Sequence, residues 1–280
     1  MFTHCLLSLL LACSGGEGPT EPAPAPAPAK EAPKANPETP EVDVEKMKKE
    51  ADEIALVPSP VETQKALEGS GVDTQLATLI PKHQFDLAAD NVDHAAVRTG
   101  VVLADVLLTV KTAKKGVLVK RVEAVRTGMN QLKGGKDIDL TLVDIKDRLE
   151  AEAVTRDDLL KEFDELSGAV IPELEFNGKS RVVPLIEAGS WLEGSNLVAR
   201  AVKKAGKKEA AEKLLKAPTV VDYFLEYVRT DGSDKAPEAV TKKLEESLLE
   251  LKTVAEKTEP LSDDDIDTVI RVTNAVLALL

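Results

Sequence analysis

The stretch Arg181–Lys204, RVVPLIEAGSWLEGSNLVARAVKK, holds the chain's single tryptophan, two glycines and an acid set among apolar neighbours. On a wheel at about 100° per residue, Glu193, Asn196, Arg200, Lys203 and Lys204 gather on one stripe. Leu185, Ala188, Trp191, Leu192, Val198, Ala199 and Val202 spread over most of the remaining circumference. A helix apolar over so wide an arc is buried on several sides, which predicts the central helix of an all-α fold. Pro184 suits the first turn, where a missing N–H costs nothing. Gly189 and Gly194 each lower helix propensity by roughly 1 kcal/mol, which implies that another helix crosses closely there. Glu187 projects among the apolar residues one turn before Trp191. A buried carboxylate there has to be paired, hydrogen-bonded or neutral.

A second helix of the same kind is expected over Leu87–Lys115, around TGVVLADVLLTV. Its polar residues Asn91, His94, Arg98, Asp105, Thr109 and Thr112 fall within a narrow arc. A solvated face is the simpler reading of that arc. If it faces Glu187 or Glu193 instead, the two helices share an internal polar network. A ligand pocket between 87–115 and 181–204, lined by Arg98, Asp105, Glu187, Trp191 and Glu193, is the alternative use of the same residues. Gly100, Gly189 and Gly194 would leave the room for it, although close helix packing is the plainer role for glycine.

Periodicity elsewhere is helical throughout, and no strand-like alternation or fixed-period repeat is visible. Helices are expected over 44–56, 60–69, 73–80, 116–132, 137–152, 155–166, 207–215, 219–228 and 237–257, with a last one capped by Ser262. Ser59/Glu62, Thr155/Asp158 and Ser262/Asp265 have the spacing of capping boxes, and Leu261 can staple against Ile266. Residues 171–180, with Pro172 and Asn177-Gly178, read as the most irregular connection, and 230–233 as a loop. The fold class is a multi-helix bundle of about nine to ten helices over 44–280.

The N-terminus is of another character. Residues 1–12, MFTHCLLSLLLA, form an apolar run too short to span a bilayer and suited to a signal peptide. It runs into Leu10-Leu11-Ala12-Cys13, which resembles the lipobox of bacterial lipoproteins, whose cysteine is acylated with palmitate and related chains and becomes the new N-terminus. Cys13 is the expected lipidation site. No Lys or Arg precedes the apolar run, a departure from the usual pattern. Ser14 follows where an aspartate would signal inner-membrane retention, which points to the outer membrane. Residues 13–43 are a Pro/Ala-rich linker, with Pro22, Pro24, Pro26 and Pro28 alternating with alanine. Such a run is expected to be a disordered, extended spacer at about 3.1 Å per residue.

Composition excludes several functions. A net charge of −13 repels phosphate backbones, so nucleic acid is not an expected partner. The basic runs Lys111–Arg121 and Lys203–Lys216 read as solvated helix faces. Aromatics make up only 3%, too few for sugar- or base-stacking platforms. Both cysteines, Cys5 and Cys13, precede the body, and the three histidines are scattered, so neither a disulfide nor a metal centre is expected. No HExxH, P-loop or GxSxG motif occurs, and no catalytic residue or cofactor is assigned. Asp263-Asp264-Asp265 lacks the spacing of a calcium loop and suits a helix N-terminus. A hydrolase using paired carboxylates among Asp105, Glu187 and Glu193 is the least supported reading.

Three stretches, Pro58-Ser59-Pro60-Val61-Glu62, Gly100–Val106 (GVVLADV) and Ala188–Gly194 (AGSWLEG), resemble in sequence and order a set of bacterial lipoproteins with an all-helical body and no assigned activity. The resemblance implies the fold and a place in the cell envelope, and draws attention to Asp105 and Glu193. The expected protein is a lipid-anchored, non-catalytic interaction or structural module of the bacterial envelope. Its partners would be the membrane, through the anchor, and another envelope protein.

Overall fold

Every described segment with regular structure is helical, as the periodicity requires. The computed structural model describes residues 59–72, 75–80, 87, 91–230 and 238–278. Among them are ten α-helices and no strand: α1 Pro60–Gly69, α2 Val92–Thr109, α3 Lys115–Gln131, α4 Lys136–Glu150, α5 Arg156–Phe176, α6 Val183–Ala205, α7 Lys208–Leu214, α8 Pro218–Thr230, α9 Glu238–Ala255 and α10 Asp263–Leu277. No helix among the described residues is long and apolar enough to cross a membrane. The expected signal peptide, Cys13, the linker, the 44–56 helix and residues 231–233 of the expected loop lie outside the described residues.

The starts of helices follow the capping chemistry. Ser59 and Glu62 exchange both bonds of a capping box, at 3.1 and 2.9 Å. Ser262 and Asp265 do the same at the head of α10, with Leu261 and Ile266 both buried beside them. At α5 the Thr155 hydroxyl accepts from the Asp158 N–H but bonds the Asp158 carboxyl directly, so the box is not closed. Gly206 ends α6 in the left-handed region at φ 65°, where glycine carries no Cβ penalty.

Three expected boundaries are corrected. The helix expected over 87–115 is the shorter Val92–Thr109, because the Asn91 side chain caps it by accepting from the N–H groups of Asp93 and His94. The short helix expected over 73–80 is a single 3-10 turn at Leu76–Thr78 among the residues described there. The helix expected to stop at Leu166 runs on through Pro172 to Phe176. Proline removes one backbone bond, to the Gly168 carbonyl, yet Val170 and Leu174 on either side are buried. Packing of that last turn outweighs the lost bond.

Two apolar clusters make the core, and α2 and α6 contribute to both. Leu107, Leu118, Val122, Leu142, Ile145 and Phe163 join α2 to α3, α4 and α5. Leu197, Val202, Phe224, Leu251, Val269 and Val272 join α6 to α8, α9 and α10. The α2–α6 interface is the most extensive in the fold. The expected central helix therefore shares that place with α2, where every residue from Thr99 to Val110 is buried.

Candidate functional site

Two glycines set the depth of the α2–α6 crossing. A Cβ on Gly100 would stand 1.9 Å from the Ile186 carbonyl oxygen, and one on Gly189 would stand 2.0 Å from that of Val97. Backbone therefore lies against backbone at both positions. Gly128 of α3 meets a side chain of α2 instead, with Thr99 Oγ1 2.1 Å from where its Cβ would be. Such approaches bring polar side chains farther along the helices into one enclosed space.

Asp105 of α2 and Glu193 of α6 meet there, 6% and 0% exposed. Burial drives the Asp105 pKa well above the usual carboxylate range. The charge of Glu193 and a hydrogen bond to it add to the rise, and Arg121 opposes it. Two ionised carboxylates would face each other with acceptors only. A proton on Asp105 makes the contact a hydrogen bond to Glu193. Arg121 Nε is 4.0 Å from Asp105 Oδ2, and its Nη1 donates to Thr109 Oγ1 at 2.8 Å. The Thr109 hydroxyl in turn donates to the Asp105 backbone carbonyl.

The polar stripe of α6 continues inward rather than toward solvent. Asn196, fully buried, donates to Thr273 Oγ1 and Asn274 Oδ1 of α10 at 2.8 and 3.0 Å. Arg200 binds both Asn196 Oδ1 and Asn274 Oδ1, at 2.7 and 3.0 Å. Lys203 closes the stripe at the rim with Asp267. The solvated reading of the α2 arc is thus corrected at Asp105 and Thr109. Helix crossing places both residues in the interior, where hydrogen bonds and a cation balance their polarity.

Glu187 does not join this pair. It lies six residues before Glu193, about 240° around α6. Burial raises its carboxyl pKa to about 7. Arg98 is partly buried on α2 two turns before Asp105, and the cation beside Asp105 is Arg121 instead. Arg121 belongs to a run read as a solvated face. The buried Leu118, Val122 and Val125 around it on α3 were the only signal of its depth.

Trp191 is on the Glu187 side of α6. Its ring packs on Phe224 at 5.4 Å between centroids, and Phe224 packs on Tyr223 at 5.1 Å. Beside it opens a cleft of about 260 Å³ between α1, α6 and α7, with Pro60, Ala66, Trp191, Gly194, Val198 and Leu214 among its walls. Gly194 has nothing within 4 Å of where its Cβ would be. Of the three glycines expected to leave room, only Gly194 does so. The expected pocket-lining set is therefore divided, with Trp191 at the cleft and Asp105 and Glu193 sealed inside the α2–α6 interface.

Among the described residues no group of three or more His, Cys, Asp or Glu side chains is placed to hold a metal ion. The acidic run at α10 is occupied by capping, with Asp265 bound to Ser262 and Lys257. The Asp105–Glu193 pair is closed off from solvent. No family model, curated protein or solved structure matches the chain.

Proposed function

We propose that this chain is a lipid-anchored protein of the bacterial cell envelope, held through Cys13, whose helical body is a non-catalytic interaction or structural module. The observation that carries the reading is the order of segments. An apolar leader ends at Leu10-Leu11-Ala12-Cys13, a Pro/Ala spacer follows, and then comes a helical body with no membrane-spanning helix among its described residues. The burial of the Asp105–Glu193 pair supports a module that works through its surface. Ser14 favours the outer membrane. Feeding a bacterial host an alkynyl palmitate should label the wild-type protein and not the Cys13→Ser variant, which should leave the membrane fraction. An unlabelled wild type would sink the anchor. Crosslinking in intact envelopes that repeatedly recovers no specific protein would sink the interaction role.

The cleft beside Trp191 favours a second reading, binding of a small ligand. That site would lie between α1, α6 and α7 rather than between α2 and α6. Native mass spectrometry of gently purified protein should then show a reproducible added mass. A bare mass would count against it.

A further inference from the structure

The wall of the cleft between α1, α6 and α7 is of two kinds. Trp191, Val198 and Leu214 give it an apolar floor, and the missing side chain at Gly194 gives it depth. Ser190 and Ser195 flank Trp191 and Gly194 on α6, and Thr63 lines the cleft from α1. Hydroxyls on the helices of this protein ordinarily donate to the carbonyl one turn back, as those of Thr99, Thr127 and Thr253 do at 2.6, 2.9 and 3.0 Å. The hydroxyls of Ser190, Ser195 and Thr63 make no hydrogen bond among the described residues.

The wall carries one cation and one acid, Lys213 of α7 and Glu62 of α1. Glu62 is committed to the capping box, where its Oε2 accepts from the Ser59 N–H at 2.9 Å. Lys208 and Lys216, on either side of Lys213 in the sequence, pair with Asp263 and Glu212. Lys213 itself has neither an ion pair nor a hydrogen bond among the described residues. A free ammonium and three unengaged hydroxyl donors beside an apolar floor are the complement of an anion with an apolar body. The volume of about 260 Å³ has room for roughly nine water-sized groups at about 30 Å³ each, enough for one short chain and its head.

We propose that the cleft binds a small amphiphilic anion, its head held by Lys213 and the unengaged hydroxyls and its apolar body laid against Trp191. The inference rests on the small-ligand reading of this cleft and names the class of ligand. It stands whether or not Cys13 is acylated. Burial of the apolar body on the indole supplies the favourable transfer, and the ammonium selects the sign of the head.

Trp191 is the chain's single tryptophan and reports the cleft directly. The experiment titrates the full chain carrying Cys13→Ser, in detergent-free buffer so that neither an acyl chain nor a detergent competes. Octanoate, octanol and octylammonium are the probes, alike in chain and different in head. Octanoate should shift Trp191 emission to the blue and bind more tightly than the other two. Lys213→Met should weaken octanoate about fivefold, the upper range for one ion pair at a protein surface, and leave octanol unchanged. Gly194→Leu fills the recess and should abolish the response to octanoate. Octylammonium binding as tightly as octanoate, or octanoate binding unmoved by Lys213→Met, would overturn the anion and leave a small-ligand cleft standing. A response that survives Gly194→Leu would place the binding elsewhere and overturn the site. No response to octanoate would also overturn the anion; native mass spectrometry then separates the two readings, since an added mass keeps the small-ligand cleft and a bare mass removes it.

Discussion

Asp105 on α2 and Glu193 on α6 meet, both buried, across the most extensive helix interface of the protein. Burial and the neighbouring Glu193 raise the Asp105 pKa well above the usual carboxylate range, and Arg121, whose Nε lies 4.0 Å from Asp105, opposes the rise.

Isosteres that supply the missing donor should be well tolerated. In Glu193→Gln the amide donates to an ionised Asp105 beside Arg121, and in Asp105→Asn the amide donates to Glu193. Each is expected to change unfolding free energy by less than about 1 kcal/mol. Arg121→Met leaves a buried charge with no counterion and should cost about 2–4 kcal/mol, part of which Arg121→Met/Glu193→Gln recovers. Chemical denaturation of the four proteins checks the cycle. Infrared spectra at neutral pH should show a protonated-carboxyl band that Asp105→Asn weakens.

Glu187 should make the protein less stable as pH rises. Its folded pKa of about 7 lies above the ordinary 4.5, so the folded state binds the proton more tightly than the unfolded chain. Stability is full below pH 4.5 and is lost as pH climbs through about 7, by up to about 3 kcal/mol. Asp105, also raised, acts in the same direction. Glu187→Gln should therefore be more stable than wild type at pH 8 and show a smaller loss between pH 5 and pH 8. Urea titrations at the two pH values decide it, and identical pH dependence in the two proteins would refute it.

Glycines divide by what stands opposite them. Gly100→Ala and Gly189→Ala each force a methyl group into a carbonyl oxygen at about van der Waals-forbidden range, 1.9 and 2.0 Å away. Each should cost more than about 3 kcal/mol or prevent folding, since backbone must move. Gly168 of α5 has nothing within 4 Å, so Gly168→Ala should stabilise by up to about 1 kcal/mol through helix propensity. Thermal melts of the three variants would show opposite shifts.

The helical class and nearly every helix were legible because each carries a 3.6-residue apolar period with a cap or breaker at its ends. What the sequence could not supply was the angular placement of one helix on another. The wheel put Asp105 and Thr109 in one arc, but only the close approach at Gly100 turns that arc inward. Asn196 and Arg200 belong to a correct stripe whose neighbour turns out to be α10, not water, and Glu193 of the same stripe meets α2. Arg121 escaped notice because a cation's depth depends on tertiary crossing, not on local charge pattern. Proline at 172 misled for the converse reason: a local helix-breaking signal was overridden by the burial of Leu174.

Asp265 should give the acid limb of the stability curve. Burial tends to raise its pKa, but the Lys257 ammonium and the Ser262 hydroxyl and N–H bind its carboxylate and bring it down to about 2. The sign is opposite to that of Glu187. A lowered folded pKa contributes stability that is present above the unfolded value of 3.8 and is lost as pH falls toward 2. Ser262→Ala removes the hydroxyl bond to this carboxylate and the N-cap of α10, and should cost about 1 kcal/mol at pH 7. The same variant should lose less than wild type between pH 4 and pH 2, because part of the preference for the ionised form has gone. Lys257→Met should act likewise on the acid limb while leaving the cap intact. Denaturant midpoints at pH 7, 4 and 2 separate the two contributions, and an acid limb unchanged in both variants would remove Asp265 as its source.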